Sequence, residues 1–316
     1  MTPGVERFFE GRLRLPLIAA PMFRISSLDL VLAACKAGVI GSFPTANCRS
    51  IAELEDWLAA LDAGLGPADA PYCPNLIMRR DNLAAELDAL CKAGVELVIT
   101  SVGSPAPAIP ALHEAGALVI ADVASLAHAR KAIEAGADGL VLLSAGAGGQ
   151  TGWANGMAFV RAVRAFFDGP LVLAGGISDG HALAAARALG ADFGYMGTRF
   201  IATRESAATE PYKEMVVASS LDDVLLTPAF TGLDSSMLIP SIIAAGLSPA
   251  DLPDDISAEK AAEIYGSGGP ASAKRWRDIW SAGHSVSGAE TISTVAALVD
   301  RLAAEYAAAP KIFIGE

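Results

Sequence analysis

Short apolar runs, many of them β-branched, recur along the first two hundred residues, each preceded by an alanine-rich stretch and a glycine. The junctions read AGVIGSF (37–43), AGVELVIT (93–100), AGALVIAD (115–122), AGADGLVLL (135–143) and LGADFGYMG (189–197). Between Gly94, Gly116 and Gly136 the steps are 22 and 20 residues. A helix rich in Ala, Leu, Glu and Arg that ends at a glycine able to turn left-handed, followed at once by a buried strand, accounts for each unit. Alternation of such units predicts βαβ crossovers and a parallel sheet. Eight strands are expected: LPLIAAP (15–21), VIGSF (39–43), CPNLIM (73–78), LVITS (97–101), LVIAD (118–122), GLVLLS (139–144), PLVLAG (170–175) and FGYMG (193–197). Eight strand–helix steps predict an α/β fold of the (β/α)8 TIM-barrel type. An open doubly wound sheet, which usually has fewer strands and opens on a glycine fingerprint, is the alternative.

After Thr198 the rhythm stops, and residues 201–285 read as a mostly helical excursion with turn-rich GLSPADLPDD and a glycine stretch YGSGGPAS. An amphipathic helix near 289–306, with Ile292, Val295, Val299, Leu302 and Tyr306 at three- and four-residue spacings, is expected to close the barrel as its last outer helix. The expected division is a barrel over 1–200 and about 286–310, with about 201–285 as a helical substrate or lid subdomain.

Composition adds exclusions. Hydrophobic residues are 53% and charged residues 18% of the 316, which suits a folded globule with a sizeable core rather than a disordered chain. The net charge of −12 disfavours nucleic acid and anionic lipid surfaces as partners. A mean hydropathy of +0.42 invites a membrane reading, but no run of about 18 apolar residues exists. Gly139–Val160 is interrupted by six glycines and polar residues, and the apolar run 237–247 is broken by Pro240. The opening MTPGVERFFEGRLRLP carries charges where a signal peptide is apolar, so a cytoplasmic protein is expected. Cys35, Cys48, Cys73 and Cys91 have neither a C-x-x-C spacing nor a nearby His, which points to free thiols and to no metal site.

Active sites of such barrels lie at the C-terminal ends of the strands. Glycines crowd there: Ser144-Ala-Gly-Ala-Gly-Gly-Gln150-Thr-Gly152 after the sixth strand, Ala174-Gly175-Gly176-Ile-Ser178-Asp179-Gly180 after the seventh, and Met196-Gly197-Thr198-Arg199 after the eighth. Glycine lets backbone N–H groups approach an anion, and the last two loops of these barrels commonly bind phosphate, so a phosphate-bearing ligand is expected.

The segment LAGGISDGHALAAARALGADFGYMGTRFIAT (173–203), with IAAPM (18–22), PNLIM (74–78), GAGGQTG (146–152) and DIWSAGHSVSG (278–288), resembles the nitronate monooxygenase, or 2-nitropropane dioxygenase, family of FMN-dependent barrels. The resemblance runs essentially the whole chain. It implies one non-covalent FMN, its phosphate on Gly175, Gly176, Gly197 and Thr198 beside Met196. The isoalloxazine edge would lie against Pro21, Met22 and Phe23, with Asn75, Asp122, Gly148, Gly149 and Gln150 completing the surroundings. Two departures stand out. Where the family's monooxygenases and its enoyl-acyl carrier protein reductase relatives carry a histidine assigned as acid or base, this chain has Gln150, which can orient an oxygen but cannot exchange a proton near neutral pH. Asp122 stands where a lysine is common in relatives.

Gln150, Asp122 and His284 are therefore the candidate catalytic residues. His284 lies in the closing segment, whereas His113, His128 and His181 lie in helical stretches that suit a structural role. Tyr195 is a barrel-core aromatic or an inward-facing site residue, and Trp153 and Met22 are candidate substrate walls. The expected activity is oxidation of alkyl nitronates with O2, which needs no deprotonation of the substrate. Alternatives are an NAD(P)H-dependent FMN reductase of an enoyl thioester or quinone, and a non-redox phosphate-binding barrel. A small-molecule substrate, O2, NAD(P)H and a second copy of the chain in a homodimer are the candidate partners.

Overall fold

The computed structural model describes residues 11–266, 268–269 and 273–310. The first ten residues, read above against a signal peptide, and part of the YGSGGPAS stretch lie outside the described residues.

Eight parallel strands close into a barrel: β1 (Leu17–Ala19), β2 (Ile40–Pro44), β3 (Tyr72–Ile77), β4 (Leu97–Ser101), β5 (Leu118–Val123), β6 (Gly139–Leu143), β8 (Leu171–Ala174) and β9 (Phe193–Met196). Every expected strand is present. Closure comes from β1, which pairs with β2 through Ile18↔Ile40 and with β9 through Leu17↔Gly194, Ile18↔Tyr195 and Ala19↔Met196. The helices between the strands are α1 (Leu28–Lys36), α2 (Ile51–Gly64), α3 (Leu83–Ala93), α4 (Ile109–Glu114), α5 (Leu126–Glu134), α6 (Gly156–Arg164), α7 (Gly180–Leu189) and the short α8 (Thr198–Ile201).

The sequence punctuates these units by cap chemistry. Ser27, Ser50, Ser125 and Asp179 each accept, through the side chain, a backbone N–H of the first helical turn. At the other end Gly94 (φ +65°) caps α3 and Gly190 (φ +105°) caps α7 in the left-handed conformation. Alternation along the strands then sorts two cores. Ile18, Ile40, Cys73, Ile99, Ile120, Val141, Val172 and Phe193 point into the barrel, while Leu17, Val98, Val119, Leu140, Leu171 and Met196 meet the helices outside it.

Residues 201–285 carry α9 (Glu210–Ala218), α10 (Ile239–Ala244) and α11 (Ala258–Tyr265), and also two strands that the helical expectation lacked, β10 (Val224–Thr227) and β11 (Ser235–Leu238). These pair antiparallel with each other, and β11 pairs with β7 (Gly149–Gln150) in the loop after β6, so the excursion is stitched to that loop by backbone bonds. The signal was weak because β10 and β11 are four residues each and β11 also pairs with a segment more than seventy positions away.

The last helix, α12, begins at Val295 and runs to Ala308, six residues later than expected from the periodicity. Thr294 accepts the Ala297 N–H, and the Glu205 carboxylate accepts the Val295 N–H at 3.1 Å from both oxygens. A capping carboxylate from elsewhere in the chain thus fixes the start. Ile292 consequently lies before the helix, while Val295, Val299 and Leu302 are buried. This helix packs on α7 and α1, completing the outer ring. It approaches α7 so closely that a Cβ on Gly180 would overlap the backbone of Leu302 and Tyr306.

Candidate functional site at the C-terminal mouth of the barrel

The loops after β1, β6, β8 and β9 meet at one end of the barrel. After β1, the Ala20 N–H donates to the Met196 carbonyl, and the Met22 thioether reaches toward Gly197, its sulfur 3.4 Å from where a Cβ there would stand. The Met22 N–H donates to Ser26 Oγ, and the Asn47 amide donates to the Met22 carbonyl, so this loop is held from β2 as well. Phe23 is 42% exposed beside Arg24, whose guanidinium lies 5.3 Å from the ring centroid.

The glycines after β8 differ in purpose. A Cβ on Gly175 would stand 2.5 Å from Ser144 Oγ, so that residue is small because the loop after β6 crosses it. Gly176 (φ +76°) has open space where its Cβ would stand. Its left-handed turn and clear approach are what a bound anion needs from backbone amides.

The closing segment lies over the same loops. The Gly283 N–H donates to Thr198 Oγ1 at 2.9 Å, and the His284 N–H donates to the Gly146 carbonyl. A Cβ on Gly146 would collide with the His284 ring and one on Gly148 with Gly283. Arg199 donates to the Ser178 carbonyl and lies against Gly288, fastening the loop after β8 to the closing segment. Burial pulls its pKa down.

Four buried side-chain oxygens on the strands have no hydrogen-bond partner among the described residues: alternation turns Thr100 Oγ1 on β4 outward with Val98, and turns Asn75 Oδ1 on β3, Asp122 Oδ1 on β5 and Tyr195 OH on β9 toward the barrel interior with Cys73, Ile120 and Phe193. Asn75 is 7% exposed. Burial raises the Asp122 carboxyl to about 7, raises the Tyr195 phenol, to which the Asp122 and Cys73 charges add, and raises the Cys73 thiol. Unpaired buried polar atoms cost about 1–3 kcal/mol each, so three on the inner wall of the barrel make it a candidate ligand site.

The expected residues are thus partly assembled. Pro21, Met22, Gly148, Gly175, Gly176, Gly197 and Thr198 frame the mouth, and Asn75 and Asp122 lie in its inner wall. The Met196 side chain faces the outer core instead, leaving its backbone toward the mouth. Gln150 is exposed on β7, opposite Ser235, and His284 is exposed on the closing segment. The inward set of Cys73, Asn75, Asp122 and Tyr195 was visible only in part. Alternation along β3 already puts Cys73 and Asn75 on one face, but the register that brings β3, β5 and β9 together is a property of the closed barrel. Of the cysteines, Cys35, Cys48 and Cys73 are buried free thiols and Cys91 is a half-buried one. No helix among the described residues is long and apolar enough to cross a membrane.

The nitronate monooxygenase family profile matches residues 76–305. The structure is similar over 96% of both chains to FabK from Thermotoga maritima, with a TM-score of 0.81 and 25% identity. It is likewise similar to nitroalkane oxidase from Streptomyces ansochromogenes, with a TM-score of 0.77 and 27% identity over 96% of this chain and 98% of that one. The (3aS,4S,5R,7aS)-5-hydroxy-7a-methyl-1-oxo-octahydro-1H-indene-4-carboxyl-CoA dehydrogenase of Mycobacterium tuberculosis is 27% identical over 231 residues, 72% of this chain, and the chain spans 64% of that protein's length. With most of the barrel and its closing segment inside the matched range, the chain belongs to the nitronate monooxygenase family.

Proposed function

We propose that the protein is an FMN-dependent oxidoreductase of the nitronate monooxygenase type, oxidising alkyl nitronates with O2. The observation that carries this reading is the family match combined with a mouth that fits a flavin, with an open left-handed glycine at the phosphate position and three unpartnered polar atoms beneath it. A bound flavin supplies the electron transfer that no side chain of the protein can perform. The amides of Gly175, Gly176, Gly197 and Thr198 hold its phosphate, which is why a chain of net charge −12 can bind an anion. Pro21, Met22 and Phe23 wall the ring on one side. Asn75 and Asp122 supply polar contacts to it. Gln150 orients a substrate oxygen through its amide, and a nitronate, already an anion, asks no base of it. Residues 201–285, joined to the Gln150 strand, shield the mouth from water.

The test is oxygen uptake with FMN present. A primary or secondary alkyl nitronate stimulates uptake and the corresponding neutral nitroalkane does so weakly; absence of nitronate-dependent uptake sinks the reading. A second reading, favoured by the CoA-linked name of the M. tuberculosis relative, is a flavin enzyme acting on a thioester with NAD(P)H. Anaerobic bleaching of the flavin by NADPH would favour it over the first.

A further inference from the structure

We propose that Asp122, kept as a neutral acid on the inner barrel wall, donates a hydrogen bond to an acceptor on the pyrimidine edge of the flavin, so that its proton is required for tight cofactor binding. This rests on the flavin reading above and deepens it.

Asp122 follows Leu118 and Ile120 on the inward face of β5, and its Oδ1 is buried without a partner. The groups that face it are few. Tyr195 from β9 and Cys73 from β3 are near enough for their charges to interact with it, and both hold their protons. The flanking strands β4 and β6 carry no titratable residue. The helices packed outside β5, α4 and α5, bring His113, Glu114, His128, Arg130, Lys131 and Glu134, all on the far side of the strand wall from Asp122. Among the described residues no cation acts on it, and burial raises its pKa to about 7.

The chemistry of the wall then selects the protonation state. A flavin pyrimidine offers one N–H donor against several acceptors, N1 and two carbonyl oxygens. Asn75 Oδ1 can take the N–H, and the Tyr195 hydroxyl can donate to one acceptor. A second donor is needed for a second acceptor. Protonated Asp122 is one, whereas the carboxylate would set its lone pairs against those of the ring. A lysine there would donate at every working pH; an aspartate donates only while it holds its proton. Binding therefore favours the protonated form, and affinity falls as pH rises past the free-protein pKa, by up to tenfold per pH unit until the bound-state pKa is reached.

The experiment titrates flavin-free full-length protein with FMN by fluorescence at pH 6.5 and pH 8.5, for the wild type and for Asp122→Asn, whose amide donates at both values. The wild-type Kd rises about tenfold or more between them, while that of the variant changes less than about threefold, which also controls for titration of the FMN phosphate. Equal pH dependence in both proteins overturns the proposal. A parallel infrared titration of flavin-free wild type, with 13C-labelled aspartate, needs no variant to fold. It shows a protonated-carboxyl band at pH 6 that fades by pH 8.5 and persists to higher pH once FMN is added; its absence at pH 6, or its indifference to FMN, overturns the proposal. Wild type that binds no FMN at any pH fails the cofactor reading instead, and this role of Asp122 with it.

Discussion

Ile18, Ile40, Leu97 and Phe193 toward the N-terminal end of the barrel interior, and Asn75, Asp122 and Tyr195 toward the C-terminal end, lie on the same eight strands and face the same axis. Their surroundings differ. The first set packs apolar against apolar and, with Leu118 and Ile120, leaves a void of only ≈ 10 Å³, at the limit for one water. The second set holds three polar atoms that nothing in the described chain satisfies. One end is finished by its own side chains and the other leaves polar atoms unpaired, which matches the division between stability and function expected of this fold.

Breaking the finished end has the largest effect. Phe193→Ala removes a fully buried ring from a packed layer and is expected to lower the unfolding free energy by about 3–5 kcal/mol in urea denaturation. The unfinished end behaves in the opposite sense. Because the folded Asp122 pKa lies near 7 and the ordinary value is 3.8, the folded state binds the extra proton between those values. Stability of the flavin-free protein relative to Asp122→Asn therefore falls as pH rises from 4 to 7 and levels above it, by about 4 kcal/mol in all. Denaturation of both proteins across that range checks the sign; a difference that grows with pH in favour of the wild type contradicts it.

Gly175→Ala sharpens the comparison at the rim. The new Cβ meets Ser144 Oγ at 2.5 Å in a left-handed backbone, so a loss of about 2 kcal/mol is expected in thermal unfolding, together with weaker FMN binding. The smallest effect is at Val102, a β-branched residue at φ +54° just after β4 and 43% exposed. Val102→Gly relieves that conformation and is expected to stabilise by about 1 kcal/mol or less, since glycine is also freer in the unfolded chain.

Much of the architecture was legible before the structure. The glycines at 94, 116, 136 and 190 end helices with positive φ in the repeating positions where the alanine-rich stretches stop, and the β-branched runs that follow are the barrel strands. Local rules suffice there, because a cap and a period act within a few residues. They failed for the start of α12, fixed by Glu205 ninety residues away, and for the β7–β11 pairing, whose partners are nearly as remote. The site divides in the same way. The glycines proposed to hold a phosphate announce themselves as a local pattern, whereas the Cys73, Asp122 and Tyr195 grouping exists only because β3, β5 and β9 are bent round one axis. The bond from Gly283 to Thr198 is likewise invisible without the fold that brings the closing segment back.

The central claim is that the polar end of this barrel is completed by a flavin. The direct measurement is the visible absorption spectrum of the protein after incubation with excess FMN and removal of unbound ligand by gel filtration at pH 6.5. One equivalent of FMN per chain, retained with the perturbed bands of a buried flavin, is the predicted result. A colourless protein after the same treatment would contradict the account.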